Sequence, residues 1–216
     1  AYEEAISIKD YSSAAGSLVN MGVIESYDPN GGNALKYYKE AERLYLSESD
    51  SSSLLAVWSN TAKIYYDRKE YSVALGYMTK TLSYSEEDKF ISDKITDRTL
   101  ITNILNGMGK YDEAEKYGLE GLKIAEENGY AERRQYIYEA LSNTYYGKGD
   151  FKNAYKYSSK YRDLRDSLIF EERARKIAEM ETLNKVEKKN NEITLLKLDA
   201  EKKKNIELEK NRLKIG

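Results

Sequence analysis

The feature that most constrains the fold is an internal repeat of 40 residues, marked by Ala34, Ala74, Ala114 and Ala154. Three positions before these alanines stand Gly31, Tyr71, Tyr111 and Phe151. Twelve positions before them stand the small residues Gly22, Ala62, Thr102 and Ser142. Self-similarity at a fixed period of this length is typical of proteins built from stacked supersecondary units.

The spacing predicts a pair of helices in each repeat. A small residue on the first helix and an alanine on the second let the two helices approach closely, and larger apolar residues fill the space around them. One such hairpin cannot bury its own apolar face, so neighbouring hairpins must stack. We expect the packing contacts at Gly22, Ala34, Ala62, Ala74, Ala114, Ser142 and Ala154, and we expect the aromatic residues Tyr71, Tyr111 and Phe151 to lie in the core.

The predicted fold class is therefore all-α, an α-α superhelix of antiparallel helix hairpins followed by a long C-terminal helix. The segments "YYDRKEY", "GMGKY" and "YYGKGDF" fit the tight turns within hairpins. Pro29 is the single proline, so long stretches contain no helix breaker.

Composition argues against catalysis. The chain has neither histidine nor cysteine, which removes the commonest general base, the commonest metal ligands and the thiol nucleophile. We predict no enzyme activity, no metal site and no cofactor; an active site built from Glu, Lys and Tyr is the enzymatic alternative. The net charge of −2 and the absence of a long apolar run give no reason to expect direct binding to nucleic acid or a membrane span.

The stretch "YEALSNTYYGKGDFKNAYKYSSKY" resembles the tetratricopeptide repeat through Leu141, Tyr145, Gly149, Phe151 and Ala154. The resemblance implies four hairpins over residues 15–168, preceded at 1–14 by the second helix of a truncated hairpin. The period of 40 exceeds the roughly 34 residues usual in that family. In this longer period the chain is similar to the longer-helix repeats of bacterial regulatory proteins.

Residues 169–216 read as one long, highly charged helix. An apolar stripe at helical spacing runs along it: Ile177, Met180, Leu183, Val186, Ile193 and Leu196. Such a stripe predicts a weak coiled coil and a homodimer formed through this helix. A single solvated helix is the alternative, and Leu164, Leu168, Ile169 and Ile177 would suit a capping helix on the last hairpin.

The tail resembles the segment that follows the repeats in bacterial membrane-tethered tetratricopeptide regulators. The resemblance rests on Tyr161 to Leu168, on Ile177-Ala178-Glu179 and on Glu192 to Leu196. It implies the input region of a two-component signal-transduction protein, with a membrane helix and a histidine kinase or DNA-binding domain outside this chain. The expected location is the periplasmic or extracytoplasmic side, with the cytoplasm as the alternative. Because the first residue is Ala1, we expect a fragment or a processed form.

In this family the first helix of each hairpin lines the concave side of the stack. The resemblance places there Lys63, Tyr66, Thr99, Asn103, Asn106, Tyr136, Glu139, Asn143 and Tyr146. Amide and tyrosine side chains suit an extended peptide, so we predict a non-catalytic domain that binds a peptide or protein. Ser59, Thr99 and Glu139 stand where a carboxylate-binding groove would have lysine, so no preference for a C-terminal carboxylate is expected. The alternative is a structural scaffold or dimerisation module without a ligand of its own.

Overall fold

A computed structural model describes residues 1–27, 33–48, 50–84 and 91–215, so Gly31 lies outside the described residues. Throughout these ranges the regular structure is helical, without strands, which confirms the predicted all-α fold class. The helices are α1 (Tyr2–Ser7), α2 (Tyr11–Ser26), α3 (Ala34–Ser47), α4 (Ser51–Asp67), α5 (Tyr71–Tyr84), α6 (Ile91–Gly107), α7 (Tyr111–Glu127), α8 (Ala131–Gly147) and α9 (Phe151–Ile215).

Consecutive helices pack in pairs, and the pairs stack. The hairpins are α2 with α3, α4 with α5, and α6 with α7, while α2, α4, α6 and α8 also contact one another in succession. A fourth hairpin joins α8 to the start of α9, where the rings of Tyr145 and Tyr157 stack at 5.5 Å. The first helices begin at residues 11, 51, 91 and 131, so the sequence period is also the period of the structure.

The turns of the second, third and fourth hairpins share one backbone geometry. Lys69, Gly109 and Gly149 have φ values of 63°, 72° and 77°, in the left-handed region. The next amide in each turn, at Glu70, Lys110 or Asp150, donates to a carbonyl five residues earlier at 2.8 to 2.9 Å. This is the Schellman arrangement, which ends a helix by satisfying its last carbonyls. The three predicted turn segments therefore do close the hairpins.

Small residues are buried where the two helices of a hairpin meet. Ala34, Ala62, Ala74 and Ala114 are fully buried, Ala154 is nearly so, and the Ser142 hydroxyl donates to the Ala154 carbonyl at 3.0 Å. Gly22 lies against the ring of Tyr38, which leaves no room for a Cβ. Two hairpins later the sizes are reversed, with Gly118 on the second helix and Thr102 on the first. At this contact the larger side chain therefore comes from the second helix in the first hairpin and from the first helix in the third.

The aromatic residues that open the second helices connect neighbouring hairpins. Tyr71 packs on Gly107, the last residue of α6, and Tyr111 packs on Gly147, the last residue of α8. Phe151, at the equivalent place in the fourth hairpin, is 64% exposed, so the prediction of a core position for it was wrong. The reason is topological: α9 continues the chain as a helix, and no further first helix follows in the described residues to cover the ring.

The contacts divide the chain into two units, Ala1–Leu164 and Arg165–Gly216. The first holds the stacked hairpins and their core. The second consists of the remainder of α9, in which the six residues of the predicted apolar stripe are between 49% and 68% exposed. The stripe is therefore present on the helix, without a partner among the described residues.

Candidate functional site

A groove with a volume of about 370 Å³ crosses α4, α6 and α8, the first helices of three successive hairpins. Residues at equivalent repeat positions meet there, because the period places them side by side. One such set is Ser59, Thr99 and Glu139, and another is the pair Lys63 and Asn103. Each of the three helices contributes residues to the groove. Such a surface suits an elongated ligand that lies across the helices.

Five of the nine residues predicted for the concave face line this groove. They are Lys63, Thr99, Asn103, Tyr136 and Glu139. Tyr136 is about half exposed, so its ring and hydroxyl are accessible from the groove. No described residue donates to or accepts from the Asn103 amide, which leaves both its donor and its acceptor groups available.

Asn106, one turn further along α6, serves a different purpose. Its Nδ2 donates to the carbonyl of Ala140 at 3.0 Å, and its Oδ1 accepts from the Thr144 hydroxyl at 2.9 Å. Both partners belong to α8, so the amide ties two neighbouring first helices together. The structure therefore places Asn106 in an interhelical link and outside the groove lining.

Tyr66, Asn143 and Tyr146 also lie outside the groove lining. Tyr66 packs against Tyr71 with ring centroids 5.9 Å apart, and Tyr146 packs edge-on against Phe151 at 5.7 Å. These two pairs occupy equivalent places at the turns of the second and fourth hairpins. Tyrosines at this position thus extend from the end of the first helix over the hairpin turn.

Asp97 is a groove residue that the sequence reasoning missed. Its side chain is almost completely buried, with 3% exposed, and its Oδ1 accepts from the Ser59 hydroxyl at 2.8 Å. Burial raises the pKa of Asp97 to about 6, and the Ser59 hydrogen bond opposes that rise. A signal for it exists in the sequence, since Asp97 stands four and seven residues before the buried Ile101 and Ile104 and so shares their helix face.

Three other charged residues, Lys63, Arg133 and Glu139, also line the groove. Lys63 donates to the carboxylate of Asp67 at 2.6 and 2.7 Å, a pair within α4 that balances its charge. Arg133 and Glu139 come from α8 and carry opposite charges. Asp97 differs from these residues because it is almost completely buried.

Comparison with known protein families and with curated proteins finds no match for this chain. Among the residues that the structure describes, no helix is both long and apolar enough to span a bilayer. Within the same ranges, no cluster of three or more acidic side chains is placed to hold a metal ion.

Proposed function

We propose that this chain is a non-catalytic, tetratricopeptide-type repeat domain that binds a peptide or protein segment in the groove across α4, α6 and α8. The observation that carries the proposal is the meeting of equivalent residues from three consecutive repeats in one groove of about 370 Å³. A stack of hairpins gathers such positions by construction, and extended chains are the ligands whose length matches a surface of this kind.

The chemistry of the lining supports an extended peptide. The Asn103 amide can donate to a peptide carbonyl and accept from a peptide N–H, and the Thr99 hydroxyl can do the same. Tyr136 offers a stiff aromatic surface whose hydroxyl can also hydrogen-bond. A peptide backbone satisfies groups of this kind independently of its own sequence, while its side chains would provide selectivity.

We further propose that the domain is the input region of a bacterial signal-transduction protein, located on the extracytoplasmic side, with the cytoplasm as the alternative. Occupancy of the groove would be passed through the C-terminal helix to an output domain outside this chain. The support is the likeness of the tail, from Tyr161 to Leu196, to the segment that follows the repeats in membrane-tethered regulators.

Binding is tested with a fluorescein-labelled pool of randomised decapeptides, titrated with the protein and followed by fluorescence anisotropy. The double variant Lys63→Ala/Asn103→Ala removes two groove contacts. Its matched control is Lys123→Ala/Asn128→Ala at the C-terminal end of α7, because Lys123 pairs with Glu127 four residues later just as Lys63 pairs with Asp67. We expect the groove variant to bind at least about tenfold more weakly, the loss of roughly one good interaction, and the control to bind normally.

Circular dichroism must show that both variants keep their helix content. If the groove variant binds the pool as tightly as the unmodified protein, the groove is not the binding site. If the control variant loses affinity equally, the effect is not specific to the groove, and the proposal fails as well.

A second candidate function is dimerisation through the C-terminal helix, without any ligand. The observation that favours it is the exposed stripe from Ile177 to Leu196 on α9. Sedimentation velocity of the whole chain should then give a dimer, and Leu183→Glu/Val186→Glu should convert it to a monomer because charges in a seam oppose pairing. A monomer in both cases excludes this function.

A further inference from the structure

The groove contains a buried carboxylate, Asp97, with which no cation of the described residues forms a direct ion pair. The Asp97 side chain is 3% exposed and lines the groove, and the hydroxyl of Ser59 hydrogen-bonds one of its oxygens at 2.8 Å. An ionised carboxylate can accept about four hydrogen bonds. In the described part of the chain no lysine or arginine forms an ion pair with Asp97 within 4.0 Å.

Burial of such a group is costly unless a charge of opposite sign compensates it. Two cations near the groove, Lys63 and Arg98, approach other carboxylates, and the charge of Arg98 also acts to lower the pKa of Asp97. Lys63 is held by Asp67. Arg98, the next residue on α6, donates to the Lys94 carbonyl at 3.3 Å and approaches Glu120 of α7 at 3.6 Å. The remaining hydrogen-bond acceptor sites of the Asp97 carboxylate are therefore available to a ligand in the groove.

We propose that Asp97 anchors a basic side chain, lysine or arginine, of the peptide that occupies the groove. This inference rests on the proposed peptide-binding function and names the chemistry that the groove selects. Charge complementarity identifies the occupant: Lys63 is already paired with Asp67, and Asp97 is the buried carboxylate of the groove, with the Ser59 hydroxyl as its hydrogen-bond donor. A guanidinium or ammonium group on Asp97 would form a charge-assisted hydrogen bond in a site largely removed from water.

The competing explanation is purely structural, namely that Asp97 only links α6 to α4 through Ser59. An asparagine would accept the same hydrogen bond from the Ser59 hydroxyl. A structural role therefore predicts that Asp97→Asn leaves peptide selectivity unchanged. An anchoring role predicts that the same substitution removes the preference for basic peptides while the fold persists.

The anchor also predicts a dependence on pH. Burial raises the pKa of Asp97 to about 6, so the ionised fraction in the free protein is about 0.9 at pH 7 and about 0.1 at pH 5. Since the cation binds the ionised form, affinity for a basic peptide should fall about tenfold between pH 7 and pH 5. Other charged or titratable groups face Asp97 from its own helix and from both neighbours: Asp93, Arg98, Lys63, Arg133, Tyr136 and Glu139. The Asp97→Asn variant isolates the contribution of Asp97 from theirs.

The experiment uses the full chain and three fluorescein-labelled decapeptide pools that are randomised except at a central residue. That residue is arginine, its neutral isostere citrulline, or glutamate. We expect the arginine pool to bind at least about tenfold more tightly than the citrulline pool at pH 7. The preference should be about tenfold smaller at pH 5, and it should be lost in Asp97→Asn at both pH values. Glu126→Gln, a charge removal at an exposed site on α7, is the matched control and should keep the preference.

Ser59→Ala provides a second variant, because it removes the internal hydrogen bond and leaves the carboxylate. It should keep a preference for arginine that develops at higher pH, because loss of the Ser59 hydrogen bond raises the pKa of Asp97 further. Equal binding of the arginine and citrulline pools by the unmodified protein overturns the anchor while leaving peptide binding intact. Failure of every pool to bind overturns the proposed function and the anchor together. Retention of the preference by Asp97→Asn assigns it to another residue and also refutes the proposal.

Discussion

A comparison of two helical glycines, Gly118 and Gly76, tests the packing between the repeats. Gly118 is buried on α7, whereas Gly76 is exposed on α5. Replacement of either by alanine removes the same intrinsic penalty of glycine in a helix, about 1 kcal/mol. A Cβ on Gly76 would meet nothing within 4 Å, so Gly76→Ala should stabilise the protein by about that amount.

A Cβ on Gly118 would lie 2.6 Å from Cδ2 and 3.1 Å from Cγ of Leu141, a fully buried side chain of α8. Carbon atoms in contact normally lie about 3.5–4.0 Å apart. Leu141 would therefore have to move within a filled core, at a cost of about 1–3 kcal/mol. Offset against the helix gain, Gly118→Ala should leave the free energy of unfolding unchanged or lower it by up to about 2 kcal/mol.

Urea unfolding followed by circular dichroism measures both variants. The expected difference of about 1–3 kcal/mol between them corresponds to unfolding midpoints separated by on the order of 1 M urea. Leu141→Ala should also cost less in the Gly118→Ala background than alone, because the shortened side chain makes room for the new methyl group. If Gly118→Ala stabilises the protein as much as Gly76→Ala, the close contact between α7 and α8 is not real and the packing argument fails.

Three further predictions concern the turns, the groove and the links between helices. Gly109→Ala should lower the free energy of unfolding by about 1 kcal/mol, and Lys69→Gly should raise it by up to a similar amount, because both residues have positive φ. Thermal unfolding measures both changes, and shifts of the same sign would contradict the prediction. The stability of Asp97→Asn relative to the unmodified protein should increase as pH rises from 4 to 7, by up to about 3 kcal/mol. The reason is that a carboxyl whose folded pKa of about 6 lies above its unfolded value destabilises the fold once it is ionised. A difference in urea midpoints that does not change with pH would refute this. Asn106→Ala should cost about 1 kcal/mol by removing the hydrogen bonds between α6 and α8, while the Thr144 hydroxyl keeps its bond to the Ala140 carbonyl. Asn103→Ala should be nearly neutral, and similar urea midpoints for the two variants would exclude the interhelical link.

The groove was partly predictable from the sequence. The resemblance to tetratricopeptide repeats assigned Lys63, Thr99 and Asn103 to the concave face, and all three line the groove. Asp97 was missed because an acidic residue is expected at the surface, although its spacing from the buried Ile101 and Ile104 puts it on their face of α6. Asn106 was placed with the ligand-binding residues because nothing in the sequence shows that its amide is already bonded to α8.

The sequence by itself determined the helical hairpins, their period of 40 residues and the location of the turns, since each depends on local spacing and backbone preference. Tertiary structure alone decided which helix of a hairpin provides the large side chain and which the small one where the two helices meet, as with the ring of Tyr38 over Gly22. It also decided which polar side chains face a neighbouring helix and which face the groove. The physical reason is that helical periodicity specifies the face on which a residue lies, while the identity and distance of the atom opposite depend on another repeat of the chain.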